Sequence, residues 1–255
     1  MAKVPFRAIG RVADDVQARY RDENRRLGLP RIGSIEPAAP SLAVVGGGPS
    51  VVDHLPTLRA WDGEIWAING TWRWLRDRGI ASTLYTIDPV YAVDGEAFGL
   101  DVRALLADTC HPNTTRLLLH CGAQVEMAWL GAGDGECLPG CTAAATAPTL
   151  AAERGHRHVT LFGCEGSFAA GADTHVSKDE RADKPPSMRV RVGDRTFLTR
   201  PDFILQTEWL AEIARALPSF LSAASGGFLP ALIETGDYDV THVCSEIAMA
   251  LREAA

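Results

Sequence analysis

Apolar residues in this chain gather in short runs separated by stretches of helical spacing, the rhythm of alternating strands and helices. Residues 42–45, 64–69, 83–87 and 159–162 have strand length and read as strands buried on both faces. The run Arg116-Leu-Leu-Leu-His120 reads as a further buried strand, and a short one is expected at 220–223. Helices are expected near residues 50–60, from Trp72, Trp74 and Leu75 to a stop at Gly79, and over the alanine-rich stretch that Cys141-Thr142 opens and Gly155 closes. Pro148 inside that stretch should kink the helix or delay its start. An amphipathic helix over 206–217 would bury Trp209, Leu210, Ile213 and Leu217. A last helix over 240–252 would turn Val240, Val243, Ile247 and Leu251 inward. This alternation predicts an α/β, Rossmann-like domain: a mostly parallel sheet with helices on both faces.

Three segments depart from that rhythm. Residues 1–40 read as an N-terminal extension, a charged helix over 12–26 and a Pro/Gly-rich link over 28–40. Its sparse apolar positions suit packing on the domain, residues 41–255, or on a partner subunit of a homo-oligomer. Residues 170–186 are polar and aperiodic, the composition of a long functional loop. Met188 to Val192 and Arg195 to Thr199 flank Gly193-Asp194, which predicts a tight β-hairpin inserted at about 186–200 to cover the site.

Composition narrows the class. With 46% hydrophobic and 22% charged residues the chain is an ordinary globular protein. A net charge of -7 argues against a nucleic-acid surface, which needs clustered Lys and Arg. The first residues carry no apolar signal core and no run approaches a membrane span, so a cytoplasmic protein without membrane segments is expected. The 6 cysteines are scattered, as suits free thiols in a reducing compartment. Cys110-His111, His120-Cys121, Cys137 and Cys141 match no familiar zinc spacing, and buried or half-buried thiols are the better reading.

The candidate chemistry starts at Leu42-Ala-Val-Val-Gly-Gly-Gly-Pro-Ser50, a strand running into a glycine turn and a helix start. Gly46, Gly47, Gly48, Pro49 and Ser50 can present backbone N–H groups to a phosphate, or simply make a tight strand-to-helix connection. A dinucleotide site is disfavoured, because Val51 stands where a third glycine belongs and Asn69 where an acid should end the second strand. No Gly-Lys-Ser/Thr follows, which excludes the Walker pattern. Asn69 suits a base edge or ribose hydroxyl, or a helix N-cap. Asp88, at the end of the third strand before Pro89, suits Mg²⁺ or ribose, or an ordinary turn. Glu165, Ser167 and Asp173 follow the strand 159–162, with turn capping as their alternative. His175 lies in the polar loop and can move a proton near neutral pH, since imidazole titrates near about 6.5. Thr142, opening its helix, joins the phosphate-binding candidates; Lys178, Arg181 and Lys184 read as solvated charges that can reach phosphate.

Four matches, in this order and spacing, carry a resemblance: Val45-Gly-Gly-Gly-Pro-Ser50; Ala67-Ile-Asn69 with Leu75, Gly79-Ile80 and Asp88-Pro89; Leu161-Phe-Gly-Cys-Glu-Gly-Ser-Phe168; and Gly171 with Thr174-His175. On these the chain resembles the family named for the MptE-like 6-hydroxymethylpterin diphosphokinase domain. That family is similar in fold to bacterial sialyltransferases and to the motility accessory factor glycosyltransferases, which use the Gly-x-Gly-Pro-Ser turn and the following Asn on a nucleotide donor. The resemblance implies a nucleotide-binding transferase. Its first form is Mg²⁺-assisted transfer of diphosphate from ATP to a hydroxyl acceptor such as a hydroxymethylpterin, with His175, Asp88 and Glu165 as catalytic residues and Asp88 as a metal ligand. Its second is a glycosyltransferase using a nucleotide-activated sugar; its third is a non-catalytic nucleotide-binding protein of phage type. Glu165 stands where family members tend to carry Asp, and the extension and hairpin lie outside the family core.

Overall fold

Strands whose residues are apolar without interruption must be covered on both faces, and the strand at the centre of the main sheet, residues 41–45, is of this kind from Leu42 to Val45. The computed structural model describes residues 12–34, 37, 39–90, 102–131, 133, 136–168, 175–176, 188–224 and 226–243. The chain enters through helix α1 (Asp14–Arg25) and then forms β1 (Ser41–Val45), in which Leu42 to Val45 are fully buried. A 3₁₀ turn, Pro49–His54, and a short α2 (Leu55–Arg59) stand where one helix over 50–60 was expected. Then come β2 (Glu64–Ile68), α3 (Thr71–Arg76), β3 (Thr83–Thr86), β4 (Arg103–Ala107), α4 (Pro112–His120) and β5 (Gln124–Ala128). They are followed by α5 (Ala143–Arg154), β6 (His158–Phe162), the hairpin β7 (Met188–Val192) and β8 (Arg195–Thr199), α6 (Pro201–Ala216), β9 (Leu221–Ala223), α7 (Phe228–Thr235) and β10 (Asp239–Val243).

The 7-stranded sheet has the order β5-β4-β3-β2-β1-β6-β9, and every neighbouring pair is parallel. Strands β1 to β5 extend stepwise to one side of β1, while β6 and β9 lie on the other. The order therefore reverses between β1 and β6, and this is the topological switch point where parallel α/β sheets hold their ligands. The Rossmann-like expectation holds. The hairpin also forms, and β10 extends it to a 3-stranded sheet of order β10-β7-β8.

Several local expectations are corrected. Arg116 to His120 is not a strand but the second half of α4: Pro112 sits in the first turn, and the His111 side chain accepts from Asn113 N–H, so the start of a helix is capped. Three leucines in a row fit either element, and the start signals decide. The strands of this region are β4 and β5, whose mixed sequences did not stand out. Residues 239–243 pair antiparallel with β7 and so are not the start of a helix; Ile247 and Leu251 lie outside the described residues. Leu210 is buried as expected, but Trp209 and Leu217 are 38% and 53% exposed, and the buried face of α6 runs through Ile204, Gln206 and Thr207 with Leu210. Pro148 neither breaks nor delays α5, which runs from Ala143 to Arg154 and ends at the left-handed Gly155.

The N-terminal helix packs on the domain by polar contacts. Buried Asn24 donates through Nδ2 to the carbonyls of Asp108 (2.9 Å) and Cys110 (2.8 Å) and accepts from Thr115 Oγ1 (3.0 Å). Arg25 reaches the buried Asp108 carboxylate at 2.6 Å and Glu136 at 2.7 Å. Burial pushes the Asp108 carboxyl up, and the Leu130 N–H and Arg25 beside it pull the other way. Helix α1 thus covers the carboxyl ends of β4 and β5, leaving those of β3, β2, β1 and β6 as the part of that edge where the candidate residues stand.

Candidate functional site at the switch point

Two glycine-bearing turns leave the sheet side by side, one after β1 and one after β6. The Gly46 N–H donates to the carbonyl of Phe162, and the Gly48 N–H to that of Gly163, both at 2.8 Å. Each glycine of the first turn is required by a neighbouring group of the protein. A Cβ on Gly46 would lie 2.5 Å from the Gly163 carbonyl oxygen; on Gly47, 1.6 Å from His175 Nε2; on Gly48, 1.6 Å from Glu165 Oε2. Val176 N–H donates to Gly47 O at 2.9 Å, which fixes the His175 imidazole against the turn.

Glu165 is only 8% exposed. Its Oε1 accepts from the Ser50 N–H at 2.9 Å, so the carboxylate sits where the N–H groups of the turn would meet an anion. Ser50 Oγ, on the same residue, is buried with no partner among the described residues. Behind them Cys164 is buried against Gly46, and burial pushes its thiol up to about 12, too high for a nucleophile near neutral pH. Ser167 Oγ accepts from Phe228 N–H at 3.1 Å, at the start of α7.

The next two strands add one polar group each. Asn69 follows β2 with φ of 50°, a left-handed conformation that asparagine tolerates better than most residues. Its side chain is exposed, and it is not the N-cap of α3, a position Gly70 takes. Asp88 follows β3, half-buried; its backbone N–H donates to Thr86 Oγ1 and its Oδ1 accepts from Val90 N–H at 2.9 Å, an Asx turn. Thr142 is the N-cap of α5, accepting from Ala145 N–H, and its hydroxyl donates to Gln206 Oε1 at 2.8 Å. Asp173, Lys178, Arg181 and Lys184 lie outside the described residues, as do Gly171 and Thr174.

The fold therefore gathers Gly46 to Ser50, Glu165 and His175 into one place, sets Asn69 beside them and Asp88 one strand further, and places Ser167 at the start of α7 and Thr142 at that of α5. The contribution of α6 was not foreseen. Thr207 Oγ1 sits where a Cβ on Gly166 would come within 2.0 Å, and Gln206 is buried beside Thr142. The signal was the pair Gln-Thr on the buried face of an otherwise apolar helix stripe.

Asp88 follows β3 and Glu165 follows β6, with β2 and β1 between them, and the Asp88 carboxylate already accepts from Val90 N–H. Among the described residues no group of three or more His, Cys, Asp or Glu converges on one point. The free thiols of Cys110, Cys137 and Cys164 are buried and that of Cys121 half-buried, as expected, while Cys141 is exposed. No helix among the described residues is long and apolar enough to cross a membrane.

A MAf glycosyltransferase from Magnetospirillum magneticum AMB-1 superposes with a TM-score of 0.55 at 19% sequence identity, over 84% of this chain and 37% of that one. The two share a fold. The present chain spans little more than a third of the larger protein. No protein-family model matches the chain, and no curated protein matches it. The resemblance to motility accessory factor glycosyltransferases is thus carried by structure, and the expected diphosphate transfer from ATP to a pterin has no counterpart in these comparisons.

Proposed function

We propose that this protein is a nucleotide-dependent transferase of the glycosyltransferase type, with a nucleotide-activated sugar bound in the crevice beyond the carboxyl ends of β1 and β6. The observation that carries this reading is the convergence of the His175 imidazole, the Glu165 carboxylate and the glycine turn at the point where strand order reverses. The fold shared with a MAf glycosyltransferase supports it.

In the transfer, the acceptor hydroxyl forms a bond to the anomeric carbon while the bond from that carbon to the phosphate oxygen breaks. The electron pair leaves with the nucleotide. His175, with a ring nitrogen over Gly47, takes the hydroxyl proton. Its position comes from the backbone bond between Val176 and Gly47, so the base is held before substrate arrives. Asn69, exposed beside the crevice, offers both a donor and an acceptor to a base or ribose. No step is routed through a metal.

The test has two parts. Thermal shift with CMP, UDP, GDP and ATP and with the matching nucleotide sugars should show stabilisation by at least one nucleotide and its sugar conjugate. His175→Ala should then keep that stabilisation and lose about a hundredfold or more in nucleotide release from the conjugate. Binding of ATP alone, with its diphosphate passed to the hydroxyl of a hydroxymethylpterin and AMP released, would replace this reading with diphosphate transfer, and no response to any nucleotide would remove both.

A further inference from the structure

The turn after β1 has the sequence of a phosphate loop, yet the space its glycines open is taken by the protein's own side chains. Gly48 is required because Glu165 Oε2 lies where its Cβ would be. The N–H groups of Gly46, Gly48 and Ser50 are already bound, to Phe162 O, Gly163 O and Glu165 Oε1. A phosphate here would meet a carboxylate and few unbound donors. The turn is shaped to hold Glu165.

Among the described residues only one oxygen of Glu165, Oε1, has a hydrogen-bond donor. Among the described residues its carboxylate accepts only from the Ser50 N–H, and no arginine, lysine or histidine pairs with it. Buried carboxylates ordinarily have several donors or a cation, and here the donors are missing on one side. Ser50 Oγ, on the residue whose N–H holds this carboxylate, is buried and has no partner among the described residues. A carboxylate oxygen and a hydroxyl call for a ligand that donates and accepts at short spacing without negative charge. Vicinal hydroxyls of a sugar ring do both.

We infer that Glu165 is the hydroxyl-reading residue of the crevice: it accepts hydrogen bonds from a vicinal diol of the ligand, held in place by the Ser50 N–H, and the ligand's phosphate lies away from the glycine turn. This rests on the reading of the crevice as a donor site, and it names what part of the donor the turn touches. The diol has two sources, the ribose of the nucleotide and the transferred sugar.

Isothermal titration separates them. The nucleotide that stabilises the protein is compared with its 2′-deoxy and 3′-deoxy analogues and with its sugar conjugate, on the wild-type chain and on Glu165→Gln. The Gln side chain still accepts from Ser50 through its carbonyl oxygen but presents an NH₂ where Oε2 stood, so the fold is kept. If the diol is the ribose, each deoxy analogue binds the wild type about tenfold more weakly, and the variant no longer distinguishes them from the parent. If it is the sugar, the deoxy analogues bind as the parent does, and the variant loses only the extra affinity of the conjugate. Equal affinity of all these ligands for both proteins overturns the inference while leaving the proposed function standing. So does Mg²⁺ binding to the free protein that Glu165→Gln abolishes, since Oε2 would then be a metal ligand. Should no nucleotide bind, titration with free monosaccharides takes their place: binding that needs Glu165 upholds the inference without the nucleotide reading, and no binding ends it.

Discussion

Two carboxylates on the same sheet, Glu64 and Glu165, are both largely buried and yet are treated in opposite ways. Glu64 opens β2 at the amino end of the sheet. Arg154, from the last turn of α5, reaches it at 3.5 Å and also binds Glu126; Trp66 Nε1 donates to it at 3.2 Å, and His156 Nε2 faces it at 3.7 Å. Glu165 follows β6 at the carboxyl end, with one backbone donor and no cation among the described residues. Charge at the amino end is closed into a network, and charge at the carboxyl end is left with unused bonding capacity. Buried polar groups without their full set of partners lower stability and are retained where they meet a ligand.

Removing the centre of the closed network should have the largest effect. Arg154 is 10% exposed and its loss strands Glu64 and Glu126, so Arg154→Ala should cost about 3 kcal/mol, or about 10 °C in melting temperature. An unchanged melting curve would show that the amino end is not what holds the sheet together. Next in size is the same substitution made at both ends. Glu64→Gln should lower the melting temperature by several degrees, about 1–2 kcal/mol, because Arg154 and Trp66 lose a charged acceptor. Glu165→Gln should leave it unchanged or raise it, because a poorly compensated buried charge is removed. Equal losses at both sites would erase the distinction between the two ends.

The smallest effect is one of pH. The His156 Nδ1–H donates to the carbonyl of Ala39 at 3.2 Å, which leaves Nε2 without a proton. Burial holds this imidazole below its ordinary value of 6.5, against the pull of Glu64. Between the folded value and 6.5 the unfolded chain binds the proton more readily, so His156 lowers stability as pH falls below about 6.5 and leaves it unaffected above that. Chemical denaturation at pH 7.5 and 5.5 should show this loss, and His156→Gln should reduce it. A loss that persists in full in the variant would place the titration elsewhere.

Much of the fold was legible where the chain states it locally. Leu42 to Val45 and Val159 to Phe162 could only be buried strands, and Gly193-Asp194 between two alternating runs could only be a hairpin. Segment 116–120 was misread because Leu-Leu-Leu has no period of its own and the deciding signals, His111 and Pro112, precede it. At 239–243 the strand exists because β7 offers an edge, information that lies fifty residues upstream. The site followed the same rule. That Gly46 to Ser50 and His175 belong together was readable from motif and order. That the third glycine of the turn makes room for Glu165 was not, because it depends on β6 lying next to β1 rather than on any local pattern. Likewise Gln206 and Thr207 enter only through the packing of α6 on the turn after β6.

The hydrogen bond from Val176 N–H to Gly47 O has a consequence for how this protein can change. It ties position 175 to the first turn through main-chain atoms of its neighbour, so this tether outlasts a substitution of the side chain at 175. The tether and the ring constrain each other through position 47: a residue larger than glycine there would push the imidazole away while the main-chain bond held the segment in place.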